Sequence, residues 1–246
     1  MEPIYRKTLC VPATAADRYD RIKPSQILAL LQDAAGDHCA LLGADWETLA
    51  RRDLFWAVIR HRVEITRLPR SGEEITVETW PMPTTRTAFP RATVMYGRDG
   101  QELLRGISLW VLMDLNTRAM ILPGKSGVIV EGCLRGSELA VPGSLMPRSF
   151  ANGESRTVRY TELDVNGHMN NCRYLDWAED LLPSEFHREH TPKEFTVCYL
   201  SEAREGETVE LAWELDAGGW LNLDGHRREA ESAMGHSRVF SVRMRY

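Results

Sequence analysis

The feature that most constrains this chain is that its second half restates its first. LLQDAA at residues 30–35 resembles YLDWAE at 174–179, and SGEEITVETW at 71–80 resembles EGETVELAWE at 205–214. Both echoes fall in the same order, an apolar-striped helix and then a run of antiparallel strands, so two copies of one supersecondary unit are predicted. Each copy must bury its helix against its own sheet, an α+β arrangement. Neither copy alternates strands with crossover helices or carries a Gly-rich phosphate loop, which excludes a doubly wound nucleotide fold. At 246 residues the chain can bury two cores without staples.

In the first copy, residues 4–11 alternate as a strand, and Pro24 with Ser25 announces a helix. Its stripe is Ile27, Leu28, Leu31, Ala34, Ala35, His38 and Leu42, with Gly43 as the stop. His38 on that stripe reads as a core histidine rather than a ligand. Strands are predicted at 55–66, 74–80, 88–96 and 103–113, with turns at Arg70-Ser71-Gly72 and Arg98-Asp99-Gly100. Residues 124–153 are broken by glycines and prolines and read as a linker, so domains are expected at 1–123 and 154–246. The second copy then reads as a strand at 158–163, a helix at 170–182, and strands at 195–200, 208–216, 220–228 and 237–246.

The five cysteines, Cys10, Cys39, Cys133, Cys172 and Cys198, are odd in number and scattered, and they form no Cys-x-x-Cys pair. That pattern argues against a disulfide framework or a structural zinc site and fits a reducing cytoplasm. The first residues lack the apolar core of a signal peptide, and no run is long and apolar enough to span a bilayer. A formal net charge of −5 disfavours a general nucleic-acid binder. His187 and His190 lie near each other in FHREH without a third ligand and read as part of a solvent loop between Pro183 and Pro192.

Between the predicted strand and helix of the second copy lies a polar knot, DVNGH. Asp164, Asn166 and His168 alternate with Val165 and Gly167, so an extended chain would point all three to one side. Asn170 or Asn171 is expected to cap the following helix, whose buried face is Tyr174, Trp177, Ala178, Leu181 and Leu182. That helix N-terminus would offer amides to a developing oxyanion. Taken alone, Asp-x-Asn-x-His is more often the signature of an Asx-rich turn that satisfies only its own backbone.

DVNGHMNNCRYLDW resembles the signature loop and helix start of the acyl-acyl carrier protein (acyl-ACP) thioesterases. SQILALLQDAAGDH, LFWAVIRHRVEI, GEEITVETWP and SLWVLMDLNTRAMILP resemble the other half of that family. The resemblance covers most of residues 4–246. It implies two tandem hot-dog domains, each a long helix wrapped by a curved antiparallel sheet, with an acyl-chain pocket in the first. Catalytic roles fall by resemblance on Asp164, Asn166, His168 and Glu202. Plant members carry a cysteine immediately after this glutamate, where this chain has Ala203, so a cysteine nucleophile is not expected.

The implied reaction is hydrolysis of fatty acyl-ACP to free fatty acid, with water as nucleophile, Glu202 or Asp164 as base, and no cofactor. No Gly-x-Ser-x-Gly elbow supplies a serine nucleophile. The implied partner is the acyl carrier protein; nucleic acid and a membrane span are not expected, and the chain would act as a monomer or homodimer. An acyl-CoA thioesterase, a non-catalytic acyl-binding module and a hot-dog dehydratase are the alternatives.

Overall fold

The computed structural model describes residues 3–228 and 236–246. The chain divides into two compact units, Met1–Pro142 and Gly143–Tyr246. In the first, strand β1 (Tyr5–Cys10) precedes helix α1 (Pro24–Leu41) and the short α2 (Trp46–Ala50), which is capped by the Asp45 side chain. Strands β2 (Leu54–Ile65), β3 (Glu74–Pro81), β4 (Phe89–Gly97) and β5 (Glu102–Asp114) follow, then a two-residue β6 (Met120–Ile121) and helix α3 (Pro123–Ser126). The sheet order is β1-β3-β4-β5-β2, antiparallel throughout, with β6 on β5.

The predicted helix face is the buried one: Ile27, Leu28, Leu31, Ala34, Ala35 and His38 are all buried. The helix is followed by Gly43 at a φ of +67°, the left-handed conformation that glycine adopts without steric cost. Close contact with the sheet depends on Gly106 in β5. A Cβ there would lie 3.1 Å from Leu31 Cδ2 and 3.3 Å from Val63 Cγ2, so any side chain would force those groups back by a few tenths of an ångström. Residues of the expected linker belong to this unit. Val128 and Val130 pack against Leu49, Leu54, Phe89 and Leu112, because a glycine-broken segment can still bury isolated apolar residues without any repeating period.

The second unit repeats the plan. Strand β7 (Asn152–Thr157) leads to α4 (Arg173–Glu179) and α5 (Ser184–Glu189), then β8 (Glu194–Tyr199), β9 (Thr208–Leu215), β10 (Trp220–Arg228) and β11 (His236–Arg245). Its order, β8-β11-β10-β9-β7, matches the first sheet strand for strand: β7, β9, β10, β11 and β8 stand for β1, β3, β4, β5 and β2.

Three expectations need correction here. The strand placed at 158–163 is instead β7 at 152–157, while Tyr160–Glu162 forms a 3-10 turn. NGESRT has no apolar alternation because, among the described residues, β7 pairs with β9 alone and is mostly exposed, so no burial pattern marks it. The helix read at 170–182 has only seven α-helical residues. Leu181 and Leu182 bury as predicted but belong to a tightened last turn, Leu181 N donating to Ala178 O and Leu182 N to Glu179 O, with Pro183 ending the run. FHREH is largely in a helix rather than a loop. His187 Nε2 donates to Glu179 O at 2.9 Å and His190 Nδ1 to Phe186 O at 3.0 Å, so main-chain carbonyls occupy those nitrogens.

Candidate active site

The DVNGH knot is a closed turn, not the extended stretch that its alternation suggested. Asp164 N donates to His168 O at 2.8 Å, Gly167 N donates to Asp164 O at 3.0 Å, and Leu163 pairs with Met169 across the base. Gly167 takes φ +76°, a conformation that a side chain would strain. Asp164 Oδ1 accepts the amides of Asn166 at 2.8 Å and His168 at 3.4 Å, so this carboxylate has a structural task inside the turn. Asn166 is exposed at the tip, whereas His168 turns inward and is 9% exposed.

Glu202 arrives from a distant part of the chain. His168 bridges to Arg204, Met169 N donates to Ala203 O at 2.8 Å, and these main-chain contacts lay the 202–204 segment beside the knot. As a result Glu202 Oε2 stands 3.0 Å from His168 Nε2, a charge-capable pair in which the imidazole is largely buried and the carboxylate is 39% exposed. Of the four predicted residues, His168 and Glu202 are paired through side chains. Asp164 joins them through the backbone of the turn, and Asn166 lies at the exposed tip of the same turn.

Two of the amides expected to serve a helix-terminal oxyanion site are already engaged. The α-helical run starts after Cys172, which is itself in the αR conformation and makes no side-chain capping bond, and Asn170 satisfies the amides leading into it: its Oδ1 accepts Cys172 N at 2.9 Å and its carbonyl accepts Arg173 N at 2.9 Å. Those first amides are occupied within the turn itself.

Sequence reading also missed three neighbours. Tyr174, assigned only to a buried helix face, has its phenol pKa pushed up by burial; Arg227 opposes that shift, while the charges of Glu207 and Asp164 add to it. Arg227 and Glu207 lie beside the Glu202 segment, where Arg227 Nη2 stands 3.0 Å from Glu207 Oε2 and donates to the Glu202 carbonyl. Nothing in their local sequence marks them, since each is an ordinary charge on or beside a strand.

The first unit contains the same turn with other side chains. Asp17 N donates to Arg21 O at 2.7 Å, Asp20 N donates to Asp17 O at 3.1 Å, and Ala16 bridges to Ile22. Asp17 Oδ1 accepts the amides of Tyr19 at 2.8 Å and Arg21 at 3.0 Å. Ile22 N donates to Pro69 O as Met169 N does to Ala203 O. Position by position, Asp17 matches Asp164, Tyr19 matches Asn166, Arg21 matches His168 and Leu68 matches Glu202.

Comparison with known proteins agrees with this two-unit plan. Residues 2–122 match the acyl-ACP thioesterase N-terminal domain and residues 149–238 the acyl-ACP thioesterase C-terminal domain. A chloroplastic dodecanoyl-[acyl-carrier-protein] hydrolase of Cinnamomum camphora is 28% identical over 217 residues, covering 81% of this chain and 56% of its own length. A chloroplastic acyl-[acyl-carrier-protein] hydrolase of Cuphea viscosissima is 26% identical, covering 77% of this chain and 50% of its own length. The chain thus spans about half the length of these curated relatives. The crystal structure of an acyl-ACP thioesterase from Bacteroides thetaiotaomicron superposes with a TM-score of 0.86 at 21% identity, over 98% of this chain and 97% of that one, which shows a shared fold. The two units are tandem hot-dog domains, and the chain belongs to the acyl-ACP thioesterase family.

Proposed function

We propose that this chain hydrolyses fatty acyl thioesters carried on acyl carrier protein, releasing free fatty acid and the carrier thiol, with Asp164, Asn166, His168 and Glu202 as its site. The observation that carries the reading is the 3.0 Å pairing of His168 Nε2 with Glu202 Oε2, two residues far apart in sequence and within the segment that matches the family's C-terminal domain. Glu202, partly open to solvent, takes a proton from water as the water oxygen bonds the thioester carbon. The tetrahedral intermediate collapses with cleavage of the C–S bond, and the proton passes through the His168–Glu202 pair to the departing sulfur. Asn166, at the exposed tip, offers its amide to the carbonyl oxygen.

Attack by water is favoured over attack by Asp164, because Asp164 Oδ1 is already committed to two amides of its own turn. In this reading the first domain (1–123) holds the acyl chain, with Leu28, Leu31, Ala35, Trp56 and Trp110 as candidate pocket residues. The second (154–246) performs the chemistry. Five free cysteines are in keeping with a reducing cytoplasm, and among the described residues no helix is long and apolar enough to cross a membrane.

The test is turnover of acyl-ACP and acyl-CoA thioesters of graded chain length by the wild type and by Glu202→Gln. Faster hydrolysis of acyl-ACP, lost in Glu202→Gln, is the expected result. A preference for acyl-CoA would reassign the substrate, and binding of acyl chains without hydrolysis of either thioester would sink the enzymatic reading. Single-turnover hydrolysis in isotopically labelled water separates the two mechanisms: label in the Asp164 carboxylate would mean a covalent intermediate.

A further inference from the structure

The loop that carries Glu202 is tied down by a group outside the four site residues. Arg227, on β10, donates from Nη2 to the main-chain carbonyl of Glu202. Its guanidinium is itself held by Glu207, with Nε 3.1 Å and Nη2 3.0 Å from Glu207 Oε2, and the same carboxylate oxygen accepts Arg204 N at 3.1 Å.

The first unit builds this device from a different position. There Arg67 Nη1 donates to Leu68 O at 3.3 Å and to Glu73 Oε2 at 2.9 Å, and Glu73 Oε2 accepts Arg70 N at 3.0 Å. Main-chain bonds set the correspondence. Thr66 N and Arg67 N both donate to Leu103 O, as Leu200 N and Ser201 N do to Val239 O, so Arg67 stands where Ser201 stands. Strand register pairs Ile75 with Gly97 and Val209 with Arg227, so Gly97 stands where Arg227 stands. Two copies of one loop have each placed an arginine on the same carbonyl, one from inside the loop and one from the neighbouring strand. In the first copy that carbonyl belongs to a leucine, so the arrangement serves the course of the main chain; in the second, the residue it fixes is Glu202.

We propose that Arg227 is a positioning residue: by holding the Glu202 carbonyl it keeps the Glu202 carboxylate within reach of His168. Its consequence for rate rests on the thioesterase reading above, but its consequence for geometry does not. Arg227→Met is expected to lower kcat for acyl-ACP hydrolysis roughly 10- to 100-fold with KM little changed, the mark of a misplaced group rather than lost substrate binding. In protein labelled with nitrogen-15 at histidine, the same variant is expected to shift the His168 Nε2 resonance. Adding Ser201→Arg to Arg227→Met returns a guanidinium by the first unit's route and should restore most of the rate and the original resonance.

If Arg227→Met does not fold, Arg227→Gln takes its place with the same outcomes. An unmoved His168 resonance in the folded variant overturns the inference whatever the rate does, and so does failure of Ser201→Arg to restore it. A wild type that hydrolyses no thioester would defeat the functional reading alone, since the resonance still decides the role of Arg227.

Discussion

In both units a carboxylate closes a short turn by accepting two of the turn's own amides, but one turn ends in His168 facing Glu202 and the other in Arg21 facing back onto Asp17. Arg21 reaches Asp17 Oδ2 from Nε at 3.0 Å and from Nη2 at 2.8 Å, and the position matching Glu202 is the buried Leu68. An aspartate at the head of the turn thus serves the backbone in both units. What the second unit adds is the Asn, His and Glu set. Asp164 is explained first by backbone satisfaction, and His168 and Glu202 are the residues for which the duplicated scaffold offers no structural reason.

The largest expected difference between the turns is in rate. His168→Ala should lower thioester hydrolysis about 10³-fold, as expected for loss of a general acid–base partner, while its counterpart Arg21→Ala leaves turnover essentially unchanged. Equal losses in steady-state assays of both variants would break the comparison. Asp164→Asn keeps an acceptor for the two amides, so its thermal midpoint should stay near that of the wild type, whereas Asp164→Ala should lose about 1–2 kcal/mol in urea unfolding.

Two glycines sharpen the comparison at the level of packing. Gly225, at a bulge in β10, lies so close to Phe240 that an added Cβ would sit 2.1 Å from the ring, and that ring is itself packed 4.5 Å from Tyr174. Gly225→Ala should destabilise the second unit by about 3 kcal/mol, and Gly106→Ala the first by only about 1 kcal/mol, since Leu31 and Val63 need give a few tenths of an ångström. Calorimetry of each variant checks the order.

A pH effect belongs to the first unit. His61 is fully buried on β2 with Ser108 Oγ 2.8 Å from Nδ1, and burial pushes its pKa down to about 3. Because the folded pKa lies below that of a free imidazole, near 6.5, the unfolded chain binds the proton more readily. The stability contributed by neutral His61 is thus complete above about pH 6.5 and is lost as pH falls toward 3, with a slope of up to about 1.4 kcal/mol per pH unit. His61→Asn should flatten unfolding free energy against pH in that window, and an unchanged slope would contradict it.

A smaller effect is expected where a charge pair sits near the surface. Asp17→Asn keeps the turn's acceptor but weakens the Arg21 pair, whose side chains are 27% and 15% exposed, and should cost under about 1 kcal/mol in urea unfolding.

Much of this molecule was legible in its residues, because apolar spacing reports directly which side of an element is buried. The α1 stripe, the strands of the first sheet and the faces of Tyr174, Trp177 and Ala178 all followed from spacing. β7 was not legible, since an exposed edge strand has no buried face to leave a pattern. Both asparagines suit a cap before α4, and only the backbone conformation decides that Asn170 satisfies the leading amides while the α-helical run starts after Cys172.

By itself the sequence determined the duplication, the two helix faces and the presence of a polar turn before the second helix. Family resemblance then pointed to Glu202. Only the tertiary structure decided that this glutamate faces His168, that Asp164 is committed to its own turn, and that Arg227 reaches the Glu202 carbonyl. The reason is physical: apolar side chains announce burial through their spacing, whereas the main-chain hydrogen bonds that bring distant segments together are offered by nearly every residue alike and leave no mark in the sequence.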